Sequence, residues 1–318
     1  MNGARCSVLA ALALAVPVAG ADPPPAPTVQ ERLGHPATAR LLVIHADDLG
    51  MAHSVNRATF EALERGWITS ASVMVPCPWF PEVARWAAAH PESDLGIHLV
   101  LNSEWADYRW GPVSPAGDVP TLLDDQGYLP RVETEVVARA DPAEVERELR
   151  AQVDRARAAG LRISHLDSHM ATLFRTEALF GVYHRLGADS GVPVLLERLG
   201  ERGGAESAWA TDPREDALVD RVLSIGPGVS LGEWPAAYEA MLAPLPPGVY
   251  QLIVHLAHGD DEMRGATRDH PDWGAAWRQA DLDLVASDRF RRFLAGQGFV
   301  LVTWRQLARA LPPAPPAS

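Results

Sequence analysis

Leu41-Leu42-Val43-Ile44-His45-Ala46-Asp47-Asp48 decides how the rest of this 318-residue chain is read. Four consecutive large apolar residues suit a strand covered on both faces, the pattern of a parallel sheet rather than the alternation of a half-exposed one. Two adjacent carboxylates then end the run. One Asp after a buried strand is an ordinary helix cap. Two side by side repel unless a cation lies between them, so the pair points to a divalent ion and a spare base as readily as to a cap.

Working outward, the same alternation recurs. Ser54 to Arg65 has helical spacing, Ser72-Val73-Met74-Val75 reads as a strand and Phe80 to Ala89 as a helix. Leu95 to Val100 is a third strand, followed by a long aperiodic stretch from Asn102 to Arg131, rich in Trp, Pro, Gly and Asp. A loop of that length in a compact domain is usually functional. Asp141, Pro142 and Gly160 cap, start and stop a helix. Strands are expected at Arg162–Leu166, Val192–Leu196, Tyr250–His255 and Phe299–Thr303, with a short one at Gly228–Leu231 in the ambiguous stretch 200–248. Helices are expected at Thr176–Asp189, Asp281–Gly296 and Trp304–Ala310. The alternation predicts an α/β fold with parallel strands and outer helices, its strand count favouring a barrel-like closure.

Composition narrows the function. Against 28 Lys+Arg stand 41 Asp+Glu, a formal charge of −13, so nucleic acid is not an expected partner. No Lys occurs, which removes Schiff-base chemistry and a Walker-type phosphate loop. Residues 1–21, with Arg5, an apolar run from Val8 to Val18 and small residues ending at Ala21, read as a secretory signal peptide. The mature protein is then expected to be secreted or periplasmic, without stable membrane insertion. Residues 22–38 read as a Pro/Ala-rich linker, 39–311 as the catalytic domain and 312–318 as a Pro-rich tail. Cys6 leaves with the signal, and Cys77 is expected to be a buried, unreactive thiol.

In parallel α/β sheets, functional groups gather at the C-terminal strand ends. Here those ends carry His45-Ala46-Asp47-Asp48, Gly96-Ile97-His98, His165-Leu166-Asp167-Ser168-His169 and His255-Leu256-Ala257-His258. Capping carboxylates and core histidines account for any one of these, and poorly for all four. His165 and His169 are spaced i,i+4, but His165 continues a strand, so at most one of them need be a ligand, with the other free to orient it. Residue types alone also permit a two-His-one-carboxylate iron site.

The runs Ile44-His45-Ala46-Asp47-Asp48-Leu49-Gly50, Asn56, Gly66 to Met74, Gly96-Ile97-His98-Leu99 and His165-Leu166-Asp167-Ser168-His169 together resemble the YdjC-like (ChbG/HpnK) carbohydrate deacetylases across most of residues 40–310. The resemblance implies a distorted (β/α) barrel related to polysaccharide deacetylases, and metal-dependent hydrolysis of N-acetyl groups on a sugar or glycan fragment. It implies that Asp48, His98 and His169 hold one divalent ion, Mg²⁺ or Zn²⁺, that Asp47 is the general base and that His255 is the acid, with His258 as the alternative. The chain departs from the family pattern at His45, where Asn is common, at Met170-Ala171-Thr172, where further histidines are usual, and at Leu256, where Pro is usual. These departures leave the three ligands intact and bear on substrate identity.

Trp105, Tyr108 and Trp110 are candidates for a sugar platform, with plugs over the core as the alternative. Asp167 and His165 join them as candidate substrate contacts. Two other readings compete: a different metal-assisted amide or ester hydrolase, and a silent sugar-binding protein. The spare carboxylate Asp47 argues against the second, since a binder needs no base beside its ion.

Overall fold

Apolar runs that fill both faces of a strand have condensed into one all-parallel sheet, seen in a computed structural model that describes residues 27–198, 218–270 and 272–311. Its strands are β1 (Arg40–Leu49), β2 (Ser70–Val73), β3 (Leu95–Leu99), β4 (Ile163–Ser168), β5 (Arg221–Leu223), β6 (Gly248–Val254) and β7 (Phe299–Leu301). Their order is β4-β3-β2-β1-β6-β5, with β7 paired to the first residues of β1. The sheet curls further, because isolated parallel bridges join Leu166 of β4 to Val194 and Glu197 to Val219, next to β5. The result is a distorted, incompletely closed barrel wrapped by helices.

Side-chain alternation along β1 separates two cores. Leu42, Ile44 and Ala46 join the large apolar cluster shared with the outer helices. Leu41 and Val43 point the other way, into a smaller cluster with Val219, Val249, Trp304 and Leu307 inside the curl. That inner cluster plugs the end of the barrel opposite the strand C-termini. Part of the expected linker belongs to it: Thr28 caps the short helix Val29–Arg32, and Val29 is buried there.

Several expectations change. Val192–Leu196 is no strand. Pro193 has no N–H for a ladder, so Leu166 N–H can take only its carbonyl, and single bridges remain. Gly228–Leu231 is irregular, and the short strand of that region is Arg221–Leu223. The helix expected over Asp281–Gly296 is two, Ala275–Ala286 and Asp288–Gly296, because Ser287 turns extended and its hydroxyl caps the second through Phe290 N–H. Residues 1–26 and 312–318, with the expected signal and tail, lie outside the described residues. No described helix is long and apolar enough to cross a membrane. Cys77 is a buried free thiol, and burial pushes its pKa up.

Candidate metal centre

The centre starts from a break in β1. Leu41, Val43, His45 and Asp47 share one face by the two-residue period, which would send Asp48 to the other. Instead Ala46 pairs with Ala71 and Leu49 with Val73, so Asp47 and Asp48 together face the single residue Ser72. This β-bulge places Asp48 at φ +65°, a left-handed conformation that Asp tolerates better than most residues. The kink lets both neighbouring carboxylates line the same cavity.

His98 ends β3 and His169 follows β4, and the three expected ligands converge. Asp48 Oδ1 is 3.6 Å from His98 Nε2 and 3.5 Å from His169 Nδ1, and the two imidazole nitrogens are 3.2 Å apart. Ligands about 2.0–2.1 Å from one tetrahedral ion sit roughly 3.4 Å from each other, so the donor set fits a divalent cation. Asp48 Oδ1 is buried and has no hydrogen-bond partner among the described residues, an orphaned acceptor that such an ion would satisfy. Two further groupings, His45–His165–Asp167 and Asp47–His98–Asp167, are also close enough for an ion. Of these residues, His45, His165 and Asp167 lie behind the cavity wall.

Each ligand is oriented from behind. Arg278 Nη2 donates to Asp48 Oδ2 at 2.6 Å. Burial opposes ionisation of Asp48, but the Arg278 charge, together with His169 and His255, outweighs it and holds the carboxyl well below its usual range. His98 Nδ1 pairs with Asp167 Oδ1 at 2.7 Å. His169 Nε2 pairs with Glu104 Oε2 at 3.1 Å. Burial lowers the His169 pKa, and Glu104 and Asp48 more than reverse this, pushing it up to about 10. Arg278 and Glu104 were not anticipated: a helical Arg and a loop Glu carry no signal in sequence.

Asp47 Oδ2 is 3.9 Å from His98 Nε2 and 3.9 Å from His255 Nε2, between the ligand set and the β6 wall. His255 packs against Trp273 and Trp277, Trp273 itself at φ +66°. Burial, reinforced by the Arg278 charge, pushes its pKa down to about 4 against the pull of Asp48 and Asp47. The His255 backbone N–H donates to Asp281 Oδ2, whose other oxygen accepts from Trp234 and Tyr238. His255 lines the cavity and His258 does not.

The cavity measures about 960 Å³, and beyond these groups Trp105, Phe174, Trp273, Arg131 and His270 line it. Trp105 is at its floor, only 2% exposed, with its indole N–H on Met51 Sδ. Trp110 and Tyr108 are corrections. Trp110 is buried with its indole N–H on the Asn102 carbonyl, and Tyr108 donates to the Met51 carbonyl, so both pin the long loop instead of forming a platform. The candidate substrate contacts Asp167 and His165 are likewise buried behind the ligands. The His165 ring stacks on Trp304, and Asp167 braces His98.

Comparison with known proteins identifies the family. A family model for YdjC-like proteins matches residues 41–296. A carbohydrate deacetylase from Thermus thermophilus is 35% identical over 285 residues, covering 88% of this chain and 98% of that protein. A carbohydrate deacetylase from Brevibacillus brevis is 30% identical over 269 residues, 84% and 99% of the two chains. The crystal structure of a proposed cellobiose-phosphate cleavage protein from Enterococcus faecalis has the same fold. Its TM-score is 0.71 at 22% identity, over 85% of this chain and 99% of that one. A match of this extent, with near full-length relatives at this identity, places the chain in the YdjC-like family.

Proposed function

We propose that this protein is a metal-dependent hydrolase that removes N-acetyl groups from a sugar or oligosaccharide. The observation that carries the reading is the orphaned Asp48 Oδ1, facing His98 and His169 at ligand-to-ligand distances beside an unused carboxylate. The names of the relatives supply the substrate class.

Asp48, His98 and His169 would hold the ion, with Arg278, Asp167 and Glu104 keeping their donor atoms aimed. When bound, a divalent cation polarises the acetamide carbonyl and makes the attacking water more acidic. Asp47 takes the proton from that water. Its Oδ2 lies 3.9 Å from His255 Nε2, too far for a direct hydrogen bond but within reach through one water, and by that route the proton passes to His255 and on to the departing nitrogen. His255 is neutral at pH 7 before the reaction, and its depressed pKa makes it a strong donor once protonated. Two imidazoles and one carboxylate favour a borderline ion such as Zn²⁺ over Mg²⁺.

Acetate release from N-acetylglucosamine oligomers, with and without a chelator, tests the reading. Release that stops with chelator and returns with added metal is expected, and a metal-loaded protein that releases none would refute it. We also propose export, on the pattern of residues 1–21 alone. A secreted or periplasmic product beginning after Ala21 is the result expected from N-terminal sequencing.

A further inference from the structure

His45 has no task in the reaction just described, yet it is fully enclosed beside the site. Its side chain is completely buried, and its Nε2 is 3.3 Å from Asp47 Oδ1, 3.1 Å from Asp167 Oδ2 and 3.0 Å from Ser72 Oγ. The Asp47 and Asp167 oxygens that face it are both buried and lack a well-aligned hydrogen bond from any described residue; His165 Nε2 stands farther off, 3.8 Å from Asp167 Oδ2. Without His45, two carboxylates would look at each other across a dry space, a costly arrangement. Asp167 grips His98 through its second oxygen at 2.7 Å. The imidazole therefore links the spare carboxylate to the support of a ligand.

We propose that His45 is a positioning residue: wedged between Asp47 and Asp167, it holds the Asp47 carboxylate with Oδ2 toward the cavity. The bulge gives this a structural reason. Asp47 lies on the side of β1 that normal alternation supplies, where a neighbour on the same face can fix its side-chain rotation. His45, two residues earlier on the same face, is the neighbour that can. The inference rests on the role of Asp47 as base given above.

The test compares His45→Leu with His45→Gln, which keeps an N–H donor of similar reach. The removal of such a supporting group costs about 10–100-fold in related sites. His45→Leu is expected to lower kcat by that order with KM within about threefold and with metal stoichiometry unchanged, and His45→Gln to recover most of the loss. Unchanged kcat in His45→Leu would overturn the proposal. So would a loss that tracks metal content, or one that His45→Gln shares in full. If the wild-type protein releases no acetate, the deacetylase reading fails, and crystals of metal-loaded His45→Leu still decide the role of His45. A rotated Asp47 carboxylate supports it, and an unmoved one overturns it.

Discussion

Asp48 and Arg278 stand 230 residues apart in sequence and 2.6 Å apart in space, each with a side chain only 2% exposed. The guanidinium takes Oδ2 and leaves Oδ1 to face the two imidazoles, so this one contact aims the acidic ligand. Removing one partner of a buried pair strands the other charge, at a cost of about 3–5 kcal/mol. Arg278→Met is therefore expected to destabilise the metal-free protein by that order in urea unfolding. Added metal should return part of the loss, since a cation at Oδ1 compensates the stranded carboxylate.

The two neighbouring aspartates should separate cleanly. Asp48→Asn is expected to abolish metal retention after dialysis and with it nearly all acetate release. Asp47→Asn should keep metal at wild-type stoichiometry and lower kcat by about 10²–10⁴-fold, the contribution of one general base. Equal metal loss in both variants would mean that Asp47 is itself a ligand.

Glu104 provides a finer test, because it touches His169 and would not touch the ion. Glu104→Gln keeps the shape and removes the charge that fixes the His169 ring. Metal affinity, read by competition with a chromogenic chelator, should weaken about 10–100-fold. A wild-type affinity would show that His169 needs no support.

Most of this framework was legible in sequence wherever the signal is local. Leu41 to Ile44 and Leu95 to Leu99 read as buried strands because continuous apolar runs do little else at that length, and the acid and imidazole groups at their ends marked one rim. What escaped depends on contacts between distant segments. The bulge at Asp47–Asp48 exists only in register with β2. Arg278 looks like any polar position of the helix Ala275–Ala286 until the tertiary fold buries it. Trp110 looked like a loop aromatic free to meet a ligand. The Asn102 carbonyl, eight residues back, satisfies its indole N–H and lets the ring be buried. The strand Arg221–Leu223 is too short to show a period.

Metal-free stability should have two pH limbs. His255 has a pKa of about 4 when folded against 6.5 as the ordinary value, so between these the unfolded chain binds the proton and the folded chain does not. Its contribution is complete above 6.5 and is lost as pH falls toward 4, on the order of 3 kcal/mol. His45 acts in the opposite sense. Burial lowers its pKa, but Asp167 and Asp47 more than compensate and raise it to about 9. Its contribution is complete below 6.5 and is lost as pH rises toward 9. Urea unfolding from pH 4.5 to 9 should show a maximum near neutrality, and His255→Gln should flatten the acid side alone.

Gly96 in β3 explains how a buried imidazole fits against the sheet. A Cβ built there would overlap the His165 ring, which stacks on Trp304 at a centroid distance of 4.7 Å. Both His165 and its stacking partner Trp304 are fully buried, so a shift of the ring disturbs packed neighbours. Gly96→Ala should therefore cost about 1–3 kcal/mol by overpacking. Because His165 adjoins Asp167, the brace of His98, the same variant should also weaken metal binding. His165→Ala combined with Gly96→Ala should recover part of the stability lost by Gly96→Ala, since the added methyl then occupies vacated space. Strictly additive losses in thermal melts of the two single variants and the double variant would show that the ring and the glycine are not in contact.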